Sequence, residues 1–218
     1  MGRAKLTINS RNYGSWSLRG WLLCTISGLD FDVEILPSDD PSARAELLLL
    51  SSSFLVPRLV HDGNTVWDTM AIAEYLNEAL PDSGLLPKDP VQRAWCRSIC
   101  GEMHSGFYNL RAALPMNLQS RHRDFKIWGG AKSDIERIIA IWRDCLDASG
   151  GPYLFGAEPT AADAMYAPVC ARFLTYDVAL DDVCSAYRDT IMRMDAVVEW
   201  VEAALEEPDH LDELDAEF

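Results

Sequence analysis

The sequence predicts a small α/β unit followed by an all-helical unit. Three observations carry this reading. Residues 1–80 mix strict apolar–polar alternation with helical spacing. Residues 81–90 are rich in Pro, Gly and Asp and read as a linker. From 91 to 218 the apolar period is helical throughout.

In the first unit, "AKLTI" (4–8) has the β-branched composition of a short strand. "WSLRGWLLCTIS" (16–27) places apolar residues at 18, 21, 22, 23 and 26 and stops at Gly28, which marks a helix. "FDVEIL" (31–36) sets Phe31, Val33 and Ile35 against Asp32 and Glu34, a strand. "PSARAELLLL" (41–50) is a short helix with Pro41 in its first turn. "VPRLVHDGNTVWD" (56–68) holds two strands around Asp62-Gly63, a hairpin signal. "TMAIAEYLNEAL" (69–80) is an amphipathic helix that ends before Pro81. A helical crossover makes the first two strands parallel, and the hairpin makes the last two antiparallel. This is the thioredoxin-like order.

In the second unit, residues 91–114 read as one long helix, with Gly101 or Gly106 as the point of a kink. Residues 133–149 form another, with Ser133 as N-cap and Glu136 completing a capping box. "TAAD" (160–163) caps a third, over 160–177, that Pro168 interrupts, and 181–207 supplies two more. The acidic stretch 206–218 reads as a solvated tail.

The 218 residues are 49% hydrophobic, enough for a real core. Nineteen basic residues face 34 acidic ones, a formal charge of -15. That argues against nucleic acid or an anionic membrane as partner, and leaves room for a small local basic pocket. No apolar stretch follows "MGRAKLTINS", and Leu6 stands where myristoylation wants Ser or Thr. The longest aliphatic run, 47–50, is too short to span a bilayer. A cytoplasmic protein is expected. Six cysteines form no C-x-x-C pair and read as reduced, buried thiols. His61, His104, His122 and His210 lack metal-ligand spacing, so no metal is expected, and His61 is placed at an exposed turn. Neither a G-x-S-x-G elbow nor a P-loop nor G-x-G-x-x-G occurs.

Three short stretches carry chemistry. "NYGSWSLRGWLL" (12–23) crowds Tyr13, Ser15 and Ser17 onto a loop-to-helix junction. A Ser there is either a cap or a hydroxyl that handles substrate. "FLVPRL" (54–59) puts Val56-Pro57 before a strand, where the X-Pro amide adopts cis at little cost. "VWDTMAIAEYL" (66–76) puts Asp68-Thr69 at a helix start. Each alone is a common turn or cap. Their order and spacing resemble the cytosolic glutathione transferase family over nearly the whole chain, nearest a bacterial serine-type branch close to the zeta and theta classes.

The resemblance implies a homodimeric enzyme that activates the thiol of glutathione for attack on, or isomerisation or reduction of, a small hydrophobic electrophile. It implies Ser15 as the hydroxyl at sulfur, with Tyr13 and Ser17 as alternatives and Asn12 close by. The Val56 backbone, exposed by Pro57, pairs with the cysteinyl part of glutathione. Thr69 caps the helix, and its hydroxyl and the free N–H groups take the γ-glutamyl carboxylate. Asp68 takes the ammonium. The pocket lies along 102–117, with Met103, Phe107 and Tyr108 as an apolar wall and His104 and Arg111 as polar handles. The same spacing also makes Met103, Phe107, Leu110 and Leu114 a plain core stripe. His104 and Arg111 on nearly one face suit a carboxylate-bearing substrate. One departure from the family is the missing Lys before Val-Pro, where Phe54 and Leu55 stand. It weakens the hold on the glycyl carboxylate or moves it elsewhere; Arg58 is adjacent, but strand alternation points it away. The alternative is a non-catalytic member that keeps the fold for binding or regulation. A reductase working through its own thiol is disfavoured, because Cys24 lies two turns inside the first helix.

Overall fold

The structure, a computed structural model, describes residues 3–36 and 56–208. The expected helix at 41–50, and Phe54 and Leu55, lie outside the described residues. Four strands, β1 (Ala4–Ile8), β2 (Phe31–Ile35), β3 (Arg58–His61) and β4 (Asn64–Trp67), form a sheet in the order β2-β1-β3-β4. β1 runs parallel to β2 and antiparallel to β3, and β3 pairs with β4 as a hairpin. Asp62 and Gly63 both take positive φ (48° and 79°), as a two-residue hairpin turn requires.

Helices α1 (Ser15–Ile26) and α2 (Thr69–Ala79) belong to this thioredoxin-like unit. α1 is apolar on nearly every side and buried on nearly every side, since it lies between the sheet and the helical unit. Its Gly20 sits on the cis Val56–Pro57 peptide. A Cβ at Gly20 would lie 2.4 Å from Pro57 Cβ, so only glycine lets the helix come this close.

The helical unit comprises α3 (Pro90–Ser105), α4 (Tyr108–Ala113), α5 (Gly129–Ser149), α6 (Ala161–Thr175), α7 (Asp182–Met192) and α8 (Asp195–Leu205). The helix expected over 91–114 is two helices. The chain breaks at Gly106, which is extended, and Phe107, which is left-handed at φ 56°. Ser133 is not a cap: α5 begins at Gly129, after Trp128. Pro168 sits inside α6 without ending it, in a helix enclosed on all sides. The expected capping box of Thr160 and Asp163 is closed. Two further corrections concern polar groups. His61 is half-buried against the Tyr75 hydroxyl, 3.0 Å from its Nδ1. Glu207, expected in a solvated tail, accepts hydrogen bonds from Ser10 Oγ (2.7 Å), Arg11 N (2.6 Å) and Asn12 N (3.1 Å). The residues just after α8 thus strap the loop that leads into α1. Among the described residues, no helix is long and apolar enough to cross a membrane.

Candidate functional site: a helix start, a cis-proline turn and a cationic cluster

Ser15 is the first residue of α1 and does not cap it. Gly14 holds the cap position and offers no side chain, so the cap supplies no side-chain acceptor; Ser15 N donates to Tyr13 O (2.9 Å). A Cβ at Gly14 would fall 2.1 Å from Asn9 Oδ1, which keeps the position glycine. A helix start left open in this way favours an anion. Ser15 keeps a little exposure, 8%, whereas Ser17 has none. Ser17 Oγ donates to Asn9 Oδ1 (2.6 Å) and accepts from Asn9 N (3.1 Å). Its hydroxyl therefore ties the end of β1 to α1, which removes Ser17 from the candidates for sulfur. Tyr13 is buried, and its N–H donates to Ser10 Oγ. Asn12 is fully buried; its Oδ1 accepts from Leu118 N (2.6 Å) and Gln119 N (3.1 Å), across to the helical unit.

The second helix start differs from expectation. Asp68, held at φ 75°, is the cap of α2: its Oδ1 accepts from Met70 N (2.8 Å) and Ala71 N (3.3 Å). Thr69 is not the cap. It is buried, with Oγ1 3.4 Å from His104 Nδ1. Asp68 Oδ2 lies 3.2 Å from His104 Nε2. His104, on α3, therefore faces the Asp68-Thr69 pair.

The expected pocket wall is only partly one. Met103, Leu110 and Leu114 are fully buried in the core and Phe107 nearly so, as a core stripe is. Tyr108 is 62% exposed and lines no apolar wall. His104 and Arg111 do meet, through Trp16. The Trp16 ring has the His104 ring 5.3 Å away, Arg111 Cζ at 5.4 Å and Arg19 Cζ at 4.4 Å.

Arg19 and Arg172 are functional candidates that sequence reasoning missed. Both are buried. Arg19 Nε donates to Met165 O (2.8 Å), and Arg172 Nε donates to Leu114 O (2.8 Å). Burial, then the charges of Arg172 and Arg111, pull the Arg19 guanidinium well below its ordinary pKa. Burial, then Arg111, pulls Arg172 down to about 10. Burial lowers Arg111 too, with Asp134 opposing. Arg19 Nη2 and Arg111 Nε are buried without a hydrogen-bond partner among the described residues. Three cations repelling one another, with donors to spare, want an anion. The signal in the sequence was an Arg inside an apolar helical run, "SLRGW" and "CARFL".

The cysteines play no part here. All six are buried and free, and burial pushes the Cys24 thiol up to about 12. Such a thiol is inert at neutral pH.

A thioredoxin-like sheet and a helical unit, meeting at an open helix start beside a cis-proline, define a class of thiol-binding folds. The comparisons place the chain within it. Residues 13–79 match the family description "Glutathione S-transferase, N-terminal domain", and 110–203 match "Glutathione S-transferase, C-terminal domain". The chain belongs to the glutathione S-transferase family. It is 29% identical over 182 residues to the maleylacetoacetate isomerase of Rattus norvegicus, covering 82% of each chain. It is 26% identical over 189 residues to that of Pseudomonas aeruginosa, covering 81% of this chain and 84% of the relative. Among solved structures, a Burkholderia glutathione transferase homologue with bound glutathione superposes with a TM-score of 0.71 at 20% identity, over 94% of this chain and 100% of that one. A maleylacetoacetate isomerase from Anaeromyxobacter dehalogenans, with glutathione in its active site, gives 0.64 at 22% identity, over 96% and 99%. These two likenesses establish the fold.

Proposed function

We propose that the chain is a glutathione-dependent enzyme that isomerises, or adds the thiol to, a small carboxylate-bearing electrophile. The observation that carries this reading is the joint presence of an uncapped α1 start at Ser15 and, around Trp16, two arginines with buried nitrogens that no described residue serves. The named relatives are isomerases of a maleyl keto acid, which supports an anionic substrate.

The residues fit glutathione. The Val56 backbone beside cis Pro57 offers a strand edge for the cysteinyl part, and Asp68 and Thr69 face the γ-glutamyl end. When bound, glutathione supplies a thiolate able to add to an electron-poor double bond and to leave it again. Ser15 Oγ donates a hydrogen bond to sulfur and does not act as a nucleophile. The open N–H groups of α1 favour the same negative charge. Arg111, with Arg19 and Arg172 behind it, holds the carboxylate of the electrophile and orients its double bond toward Ser15.

The same reading takes 1–80 as the glutathione-binding domain, 81–90 as linker and 91–218 as the helical domain. It takes the protein as a cytoplasmic homodimer. Val60 and Trp67, apolar and exposed on the hairpin, support a covered face there. Calorimetry with glutathione, and an isomerase assay with maleylacetoacetate, test the proposal. One site per chain of micromolar to millimolar affinity, with turnover that depends on glutathione, is expected. Absence of glutathione binding overturns it.

A further inference from the structure

We propose that His104 is a glutathione-binding residue, supplied by the helical unit to the γ-glutamyl end of the site. The inference rests on the reading that this chain binds glutathione.

The γ-glutamyl group carries an ammonium and a carboxylate on one carbon, so it needs an anionic acceptor and at least two donors side by side. The α2 start provides the acceptor. Asp68 spends Oδ1 on capping and turns Oδ2 outward. The donors are scarcer than a helix start usually offers. Met70 N and Ala71 N are taken by Asp68 Oδ1, and Ile72 N by Asp68 O. What remains is the Thr69 hydroxyl and the Thr69 N–H. A carboxylate there is short of donors on its outer side.

His104 fills that gap. Its Nδ1 lies 3.4 Å from Thr69 Oγ1 and its Nε2 lies 3.2 Å from Asp68 Oδ2. Both ring nitrogens thus face the two residues that meet the γ-glutamyl group. About a third of the side chain is exposed, so a ligand reaches it. The ring is held edge-on to Trp16, at 63° between planes, and Trp16 is itself packed on Arg19. His104 is therefore preset by the residue next to Ser15. Without ligand its Nε2 occupies the Asp68 oxygen; with ligand it donates to the γ-glutamyl carboxylate while the ammonium takes Asp68.

The test is calorimetry on the full chain with two ligands, glutathione and cysteinylglycine, which lacks the γ-glutamyl group. His104→Ala and His104→Gln are compared with wild type, with circular dichroism to confirm folding. Wild type is expected to bind glutathione at least about tenfold tighter than cysteinylglycine. His104→Ala is expected to lose most of that ratio through weaker glutathione binding alone. His104→Gln, which keeps a donor, is expected to recover part of it. An unchanged ratio in His104→Ala, or equal weakening of both ligands, overturns the inference while glutathione binding itself stands. A wild-type chain that binds neither ligand overturns the underlying reading instead.

Discussion

Near one end of α6 lies Asp163; near the other lies Arg172, with Arg19 bonded to the carbonyl of Met165 between them. All three side chains are buried and ionisable. Asp163 is served by four hydrogen bonds, from Leu154 N, Thr160 N, Thr160 Oγ1 and Tyr187 Oη, at 2.8–3.1 Å. The arginines, with Arg111 beside them, are cationic neighbours that repel one another and leave two buried nitrogens unpaired among the described residues. A buried polar group that is satisfied specifies the fold. One that is left short of partners carries a cost, and an anion received there is the explanation proposed above. The difference separates the part of the molecule that builds the helical unit from the part proposed to receive an anion.

Removing the satisfied group should hurt most. Asp163→Ala leaves four donors unserved and is expected to lose about 3–5 kcal/mol in urea unfolding. A loss under about 1 kcal/mol would erase the contrast between the two clusters. Asp163→Asn sharpens the same point through pH. Burial raises the Asp163 pKa above the usual aspartate range, against the pull of its donors. A raised carboxyl favours the folded state fully below the unfolded value of about 3.9. That contribution is lost as pH rises through the folded-state value. The amide introduced by Asp163→Asn does not titrate. The stability of wild type relative to this variant should therefore fall as pH is raised from about 4.

The Glu207 strap comes next. Its carboxylate holds Ser10, Arg11 and Asn12 in place two residues before Gly14. Glu207→Ala is expected to cost about 2 kcal/mol in thermal unfolding. Activity should fall with it, because the loop sets the position of Ser15. Full activity in a destabilised variant would show that the strap serves stability alone.

In the arginine cluster the pattern should reverse. Arg111→Met removes a cation whose Nε has no partner among the described residues. Folding stability should move by less than about 1 kcal/mol. KM for a carboxylate-bearing electrophile should rise about tenfold, or about 1.4 kcal/mol, with glutathione affinity unchanged. Loss of stability with unchanged kinetics would make the cluster an ordinary packing feature. Smallest of all is Ser17→Ala, expected to cost about 1 kcal/mol and to leave the thiol chemistry intact, since Ser17 is tied to Asn9.

Most of the fold was legible because it is local. Alternation gave β2, the Asp62-Gly63 pair gave the hairpin, and the Thr160/Asp163 spacing gave the cap of α6. What failed was settled by tertiary geometry. Helical spacing ran on through Gly106-Phe107, yet the chain turns left-handed there. Asp68 outcompeted Thr69 for the α2 cap by reaching two N–H groups from a positive-φ position. In the candidate site, hydroxyl types and order were readable, but the choice between Ser15 and Ser17 turned on Asn9, eight residues before Ser17. Arg19 and Arg172 could not be placed from period alone, because their partners are backbone carbonyls 146 and 58 residues away.

The most direct measurement is the ultraviolet titration of the thiol of bound glutathione in wild type and Ser15→Ala, folded alike. A free thiol titrates near about 8.5. The account predicts that wild type holds the bound thiol well below that value and that Ser15→Ala lets it climb back toward it. Identical titration in both chains would contradict the assignment of Ser15 to sulfur, and a wild-type bound thiol that titrates like the free one would contradict the reading of the open α1 start as a thiolate site.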